Sequence, residues 1–291
     1  ISTRLGRLAP LLFPPADTPV LQYARDDDDN AIEPLFYVPI LPMVLINGAE
    51  GIGTGYSTSI PPHNPREVLC RVRARLEQAE LMPWSPLPYW HAFTGNVAVN
   101  SEELLEAGES AASYKVSGTF ERSADVITIQ ELPAGMWTSP YLAFLDTLVE
   151  RGTLLRYEDA SSDVRVNIRL HFPPSTAPDD EALHKLLKLC SRVKCTNMHL
   201  LDAQGAVVRY RNASDILEAY LPHRMDLYAR RRTYMLSELE AQLQQASSEA
   251  RFIALQISGT LDLRGREEVE ICSELKEHGL STSRGSYDYL L

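Results

Sequence analysis

No run of apolar residues in this sequence approaches the roughly 20 needed to cross a bilayer, so no membrane partner is expected. Cysteine is scarce: four residues, at 70, 190, 195 and 272. Only Cys190 and Cys195 lie close together, and their spacing fits neither a zinc knuckle nor a redox Cys-x-x-Cys pair. All four read as reduced thiols of an intracellular protein. The opening ISTRLGRLAPLLFPP lacks an initiator Met, and no small-residue cleavage site follows its short apolar run. It reads as a fragment or a processed piece, and no secretory signal is visible. Internal repeats and low-complexity tracts are missing too.

Basic residues are in deficit, with 28 Lys and Arg against 39 Asp and Glu, for a net charge of −11. That sum alone argues against a nucleic-acid binder, which neutralises phosphates with clustered Lys and Arg. Binding depends on where charge sits, however, and residues 1–15 hold Arg4 and Arg7 and no acid. The run Asp26–Asp29 reads as a solvated loop, and no metal ligation is expected there. The seven histidines form no recognisable catalytic pairing, and no serine has a nucleophile-elbow setting.

What is present is ordinary for a globular protein: 44% hydrophobic and 23% charged residues over 291 positions, enough for two or three structural units. Leu5, Leu8, Leu12 and Phe13 have helical spacing, stopped by Pro14-Pro15. TPVLQYA at 18–24 reads as a strand. FYVPILPMVLI at 36–46 reads as extended, because two prolines interrupt it. NPREVLCRVRARLEQAEL at 64–81 reads as a helix, with Asn64 as cap, Pro65 at the first helical position and Glu67 three after the cap. From about 83 to 175, strand-like alternation surrounds a helix at 139–152, as in a mixed α/β unit with crossover connections. The chain then turns helical from 181. A small hairpin follows, with Gln204-Gly205 as its turn. Residues 214–259 read as one long helix in which Met225, Tyr228, Arg232, Met235, Leu239, Gln242 and Ala246 form an imperfect coiled-coil seam. Met225 and Met235 read as packing residues. Short helices are expected around Gly265 and Gly279.

The stretch PILPMVLINGAEGIGTGYS at 39–57 carries Gly48, Gly51, Gly53 and Gly55. A dinucleotide fingerprint needs Gly-x-Gly-x-x-Gly opening a helix, and a P-loop needs Gly-Lys-Ser/Thr. Neither is met, and Pro61-Pro62 argues against a helix directly afterwards. The glycines supply positive φ in a tight loop. Ile52, flanked by two of them, either plugs a core or projects outward, where an apolar side chain on a thin loop can wedge between stacked bases and kink a duplex.

Residues 37–68, YVPILPMVLINGAEGIGTGYSTSIPPHNPREV, resemble the corresponding stretch of type IIA DNA topoisomerases, above all the eukaryotic and large-DNA-virus branch. LLFPP at 11–15, Asp28-Asp29-Asn30 with Glu33-Pro34, and ELP…WT at 131–138 follow in the family's order. IPPHN at 60–64 is closer to bacterial members. The resemblance implies an α+β chain. The C-terminal part of a winged-helix domain, with an intercalating loop, spans 1–64. A mixed α/β tower spans 65–180, a coiled-coil arm 181–258, and the start of a helical C-gate 259–291.

The resemblance also implies an activity. A tyrosine hydroxyl attacks a DNA phosphate and forms a covalent link, two halves make a double-strand break, and a second duplex passes through. That tyrosine is expected immediately before Ile1, so no catalytic residue is expected in this chain. The implied DNA-binding residues are Ile52 as the intercalating side chain, Gly51 and Gly53 as points of close backbone approach, and Arg4 and Arg7 on the helix carrying the nucleophile. Mg²⁺ and ATP are the implied cofactors, both bound by other parts of the complete protein. The implied partners are double-stranded DNA, a second copy in a homodimer and the rest of the polypeptide. The expected location is intracellular, either the nucleus or a viral replication compartment in host cytoplasm. A non-catalytic DNA-binding and dimerisation scaffold is the alternative, separated from the enzyme by whether Tyr precedes Ile1.

Overall fold

The computed structural model describes residues 2–78, 84–100, 113–123, 126–174, 178–202, 204–261, 263, 265–282 and 286–287. The chain forms two compact units, one of residues 39–223 and one joining 1–38 to 224–291.

In the unit of residues 39–223, the chain leaves Pro42 and at once forms helix α2 (Met43–Asn47). The expected extended run over 36–46 is therefore corrected at its end. Pro39 and Pro42 bar a helix upstream of themselves, but Pro42 serves as the residue just outside one. Strands β3 (Ala49–Gly53) and β4 (Tyr56–Ile60) form an antiparallel hairpin. Helix α3 (Pro65–Leu76) starts as its sequence indicates: Asn64 Oδ1 accepts from the Arg66 amide at 2.9 Å, and Pro65 occupies the first helical position. The last residues expected in this helix, 79–81, lie outside the described residues. These elements meet β12 (Met198–Leu201) and the start of the long helix around Leu45, Ile60, Val68, Met198, Ile216 and Leu217.

The second core of this unit lies under an antiparallel sheet in the order β7 (Thr119–Ser123), β8 (Val126–Glu131), β10 (Ile168–His171), β9 (Arg156–Asp159). Alternation puts Ile127 and Ile129 of β8 inward, in register with Leu170 and Ile168 of β10. Helix α4 (Thr138–Glu150) buries Tyr141, Leu145 and Leu148 against them. It carries the chain past β10 to β9, so the crossover connection expected in a mixed α/β unit is present while the ladders stay antiparallel. Strand β9 had no counterpart among the expected elements. Helix α5 (Asp180–Leu186) is capped by Asp179, whose Oδ1 accepts from Ala182 N at 2.8 Å, and closes the core with Leu183 and Leu187.

A three-stranded sheet runs β11 (Cys190–Lys194), β6 (Ser113–Ser117), β5 (Asn96–Val99). Gly118 joins β6 to β7 where a Cβ would stand 2.2 Å from the Glu131 carbonyl oxygen, so only glycine fits. Because β11 pairs with β6, residues after 180 complete the sheets; the helix expected from 181 ends by Leu186 and Cys190 is in a strand. Strands β12 and β13 (Val207–Tyr210) form the expected small hairpin, with Gly205 at φ +81° in its turn.

Helix α6 runs from Ala213 to Ile257, 45 residues with Pro222 inside. Asn212 Oδ1 accepts from Asp215 N at 2.8 Å and starts it. The long helix expected over 214–259 is therefore present, as Ala213–Ile257.

In the unit joining 1–38 to 224–291, helix α1 covers only Ala9–Leu12. The helical spacing from Leu5 does not become a longer helix: Pro10 has no amide to donate to residue 6, so it suits the first turn of a helix and not the interior of one begun at Leu5, and Leu5 and Leu8 stand exposed. The strand expected over 18–24 begins instead as a 3-10 turn at Pro15–Val20, and β1 holds Tyr23–Arg25 only, paired with β2 (Ala31–Pro34). Pro19 lacks the amide a ladder needs. Helix α7 (Glu268–Glu277) packs Ile271 and Leu275 against Phe252, Leu261 and Leu280. A buried charge cluster forms around Asp17. Its Oδ2 accepts from Arg224 Nη1 at 2.7 Å and its Oδ1 from Arg231 Nη1 at 2.9 Å.

Candidate nucleic-acid interface

The glycine stretch is a hairpin tip, not a loop that opens a helix. Ile52 pairs with Ser57 across the ladder and Gly53 with Tyr56, leaving Thr54 and Gly55 as the connection. Strand β4 comes directly after the glycines, so no helix N-terminus faces a phosphate, and the nucleotide-cradle reading has no geometric support.

Each glycine has its own reason. Gly48 has φ +72°, and a Cβ there would stand 2.7 Å from the Ile60 carbonyl oxygen. Gly55 has φ +83°, which suits the second central residue of a turn needing left-handed backbone. Gly53 lies under the Tyr56 ring, 2.7 Å from where its Cβ would be. Gly51 differs, because nothing lies within 4 Å of its would-be Cβ and its φ is ordinary. The positive φ expected of this stretch is thus confined to Gly48 and Gly55.

Ile52 is 94% exposed. Of the two placements open to it, core plug or outward projection, the structure has the outward one. Its neighbours are held from behind. Asn197 Nδ2 donates to Ser57 Oγ at 2.6 Å, and the Ser59 amide donates to the Asn197 carbonyl at 2.7 Å. His199 Nδ1 donates to the Ser57 carbonyl at 3.1 Å, and its ring lies 6.3 Å from that of Tyr56 at an interplanar angle of 48°. Arg209, opposite His199 on β13, donates from Nη2 to the Thr196 carbonyl at 2.9 Å. Tyr56, Ser57, Asn197 and His199 were not singled out from the sequence. Asn197 and His199 lie more than a hundred positions from the hairpin they touch, and no local pattern marks such a contact.

Gly51, Ile52 and Gly53 are consecutive on β3. Arg4 and Arg7 are exposed in the other compact unit and precede α1, so their expected place on a helix is corrected; Pro10, with no amide to donate, suits the first turn of a helix and not the interior of a longer one. Neither takes part in an ion pair among the described residues.

The acidic run closes its own turn. Asp26 Oδ1 accepts from the Asp28 amide at 3.0 Å and the Asn30 amide at 2.7 Å, and Arg25 pairs with Asp29 at 3.1 Å. The Asn30 backbone and side-chain donors hold the Asp26 carboxyl below its ordinary range. Among the described residues no group of three or more His, Cys, Asp or Glu could hold a metal ion. No helix among them is long and apolar enough to cross a membrane.

Elsewhere, burial pushes the Cys195 thiol up to about 11. His63 is 3% exposed with Nδ1 donating to the Leu45 carbonyl at 3.0 Å; burial draws its pKa down, and that hydrogen bond works the other way. Cys195 and His63 border a cavity of about 30 Å³ with Trp84, Tyr114 and Arg211, room for a water molecule or two and far below the size of a nucleotide.

A family model described as the A subunit of DNA gyrase/topoisomerase IV matches residues 1–291. DNA topoisomerase 2 of Arabidopsis thaliana is 33% identical over 288 residues, which is 97% of this chain and 19% of that protein. DNA topoisomerase 2-beta of Homo sapiens is 32% identical over 288 residues, 96% of this chain and 17% of that one. The crystal structure of the Plasmodium falciparum topoisomerase II DNA-binding, cleavage and re-ligation domain superposes with a TM-score of 0.83 at 29% identity, covering 95% of this chain and 37% of its own. This chain thus spans under a fifth of the length of those two curated relatives.

Proposed function

Because the chain belongs to the DNA gyrase/topoisomerase IV A-chain family, we propose that it is part of the breakage–reunion core of an ATP-dependent type IIA DNA topoisomerase. In this reading Ile52 is a wedge between two base pairs of the cleaved duplex. A base step pried open bends the DNA and exposes more of it to the protein, at an unstacking cost of a few kcal/mol. The observation that carries the reading is the 94% exposure of a bulky aliphatic side chain at a hairpin tip beside Gly51, whose bareness nothing inside the protein requires.

The rest of the assignment follows the resemblance. The nucleophile is a tyrosine immediately before Ile1. Its phenolic oxygen bonds to phosphorus, and a deoxyribose oxygen leaves, so a phosphodiester is conserved for resealing. Arg4 and Arg7 are phosphate contacts. Residues 1–64 belong to the winged-helix part. Residues 65–180 are the tower, and β11 (Cys190–Lys194) adds a strand to the sheet of β6 and β5. The arm is α6, whose exposed Met235, Leu236, Leu239 and Leu243 await a second helix to form a coiled coil. Residues 259–291 begin the C-gate of a homodimer.

Mg²⁺ and ATP belong to other parts of the complete protein. The described residues do not fit a metal ion, since Asp26 is spent within its own turn. The two curated relatives are cellular eukaryotic proteins. We therefore place the protein in the nucleus, and a viral compartment gains no support.

The test is Ile52→Ala in the complete polypeptide. Bending of an end-labelled duplex, read by energy transfer, and the yield of covalent cleavage complex should both fall, with the melting temperature unchanged. Full bending by the variant would refute the wedge. A complete polypeptide that binds DNA but never forms the covalent complex would favour the scaffold.

A further inference from the structure

The hairpin that carries Ile52 is two strands wide, and such a hairpin is marginal alone in water. A wedge on it can hold a base step open only if the tip does not fold back under the load. The residue directly across the ladder from Ile52 is Ser57, and Ser57 is gripped from behind at two points. Its Oγ accepts from Asn197 Nδ2 at 2.6 Å, and its carbonyl accepts from His199 Nδ1 at 3.1 Å. Two residues on, the Ser59 amide donates to the Asn197 carbonyl at 2.7 Å, so the brace runs along β4. His199 also leans on Tyr56, whose ring covers Gly53. The imidazole therefore touches both residues that face Gly53 and Ile52, and it carries its proton on Nδ1, because its partner is a carbonyl.

We propose that His199, together with Asn197, is a positioning residue for Ile52, fixing how far the wedge projects by holding Ser57. The inference rests on the wedge reading of Ile52. His199 lies on β12, outside the hairpin, and Met198 beside it is anchored in the core with Leu45 and Leu217. The load on the tip thus passes to a buried layer. The brace acts on DNA only through Ile52.

The experiment is a double-mutant cycle in the complete polypeptide, with DNA bending and cleavage-complex yield as readouts and thermal melting as a check on folding. His199→Ala removes one hydrogen bond from the brace and should lower both readouts by about fivefold. In an Ile52→Ala background it should change nothing further. His199→Asn, whose Nδ2 donor stands where the imidazole Nδ1 stands, should restore them. Ser57→Ala, which keeps the carbonyl and loses only the Asn197 contact, provides a milder second variant should His199→Ala unfold, and it should show the same dependence on Ile52. If Ile52→Ala impairs bending while the His199 and Ser57 variants do not, the brace is refuted and the wedge stands. The same holds if their effects persist undiminished beside Ile52→Ala. If Ile52→Ala bends DNA normally, the wedge itself is refuted and the brace falls with it.

Discussion

Asp17→Ala tests whether the buried charge cluster behaves as the geometry requires. The Asp17 side chain is 7% exposed and that of Arg224 is 3%. Each carboxylate oxygen serves one guanidinium, Oδ2 for Arg224 and Oδ1 for Arg231. After truncation, Arg224 keeps the Val38 carbonyl at 2.8 Å and the face of the Tyr228 ring, 4.0 Å from its guanidinium carbon. Its Nε and Nη2 have no hydrogen-bond partner among the described residues. A buried guanidinium would be left with no counter-charge, which costs about 3–5 kcal/mol. Arg231, at 24% exposure, can turn toward water and adds at most about 1 kcal/mol.

The readout is native-state hydrogen exchange of the α6 amides around 224–231, which reports local opening directly. At about 1.4 kcal/mol per tenfold, exchange there should quicken by roughly a hundredfold or more. Acceleration below about tenfold would mean that the cluster is worth no more than a surface pair, and the reasoning from burial would fail. Asp17→Ala combined with Arg224→Met supplies the control. Removing both charges together should recover much of the loss, because what costs is the stranded charge and not the missing pair. Losses that simply add would refute that account.

Four further outcomes are expected. Gly118→Ala should destabilise by more than about 1 kcal/mol, since its Cβ would meet the Glu131 carbonyl oxygen at 2.2 Å, whereas Gly51→Ala should leave chemical denaturation unchanged while weakening DNA bending. Leu145→Ala, at a fully buried position in the sheet core, should cost about 2–5 kcal/mol, read from the denaturation midpoint; a loss under about 1 kcal/mol would contradict the packing described. Burial lowers the His63 pKa in the folded chain, so the unfolded chain binds more protons below the usual 6.5, and stability should fall as pH drops through that value, by up to about 1.4 kcal/mol per pH unit. His63→Gln should flatten that slope, and an unaltered slope between pH 7.5 and 5.5 would refute the assignment. Exposed Cys70 should react with iodoacetamide well before Cys195, whose thiol burial pushes up to about 11; the reverse order, read by peptide mass, would contradict both placements.

Local signals carried over to the structure where the physics was local. Asn64-Pro65 and the Gln204-Gly205 turn each act within a few residues, and each sits where its pattern indicates. The strands of the two larger sheets were mostly legible from alternation, and so was the long helix from its spacing. The misreadings arose where tertiary context or a proline's exact position decided the matter. Leu5, Leu8 and Leu12 have helical spacing, but Pro10 confines the helix to Ala9–Leu12. Pro42 ends an extended run by standing just before a helix. Strand β9 lacks a strong alternation of its own and is fixed by its ladder with β10.

The candidate site divides along the same line. Ile52 could be marked from sequence because an aliphatic residue between two glycines is odd in itself. The brace could not, since Ser57 and His199 meet only through the fold. The glycines make the point most sharply. Four of them look alike as letters, yet Gly48, Gly53 and Gly55 each answer to a neighbour or a dihedral inside the protein. Gly51 answers to neither. A side chain there would meet empty space, so nothing within the chain requires glycine at this position, on the strand where Ile52 points outward.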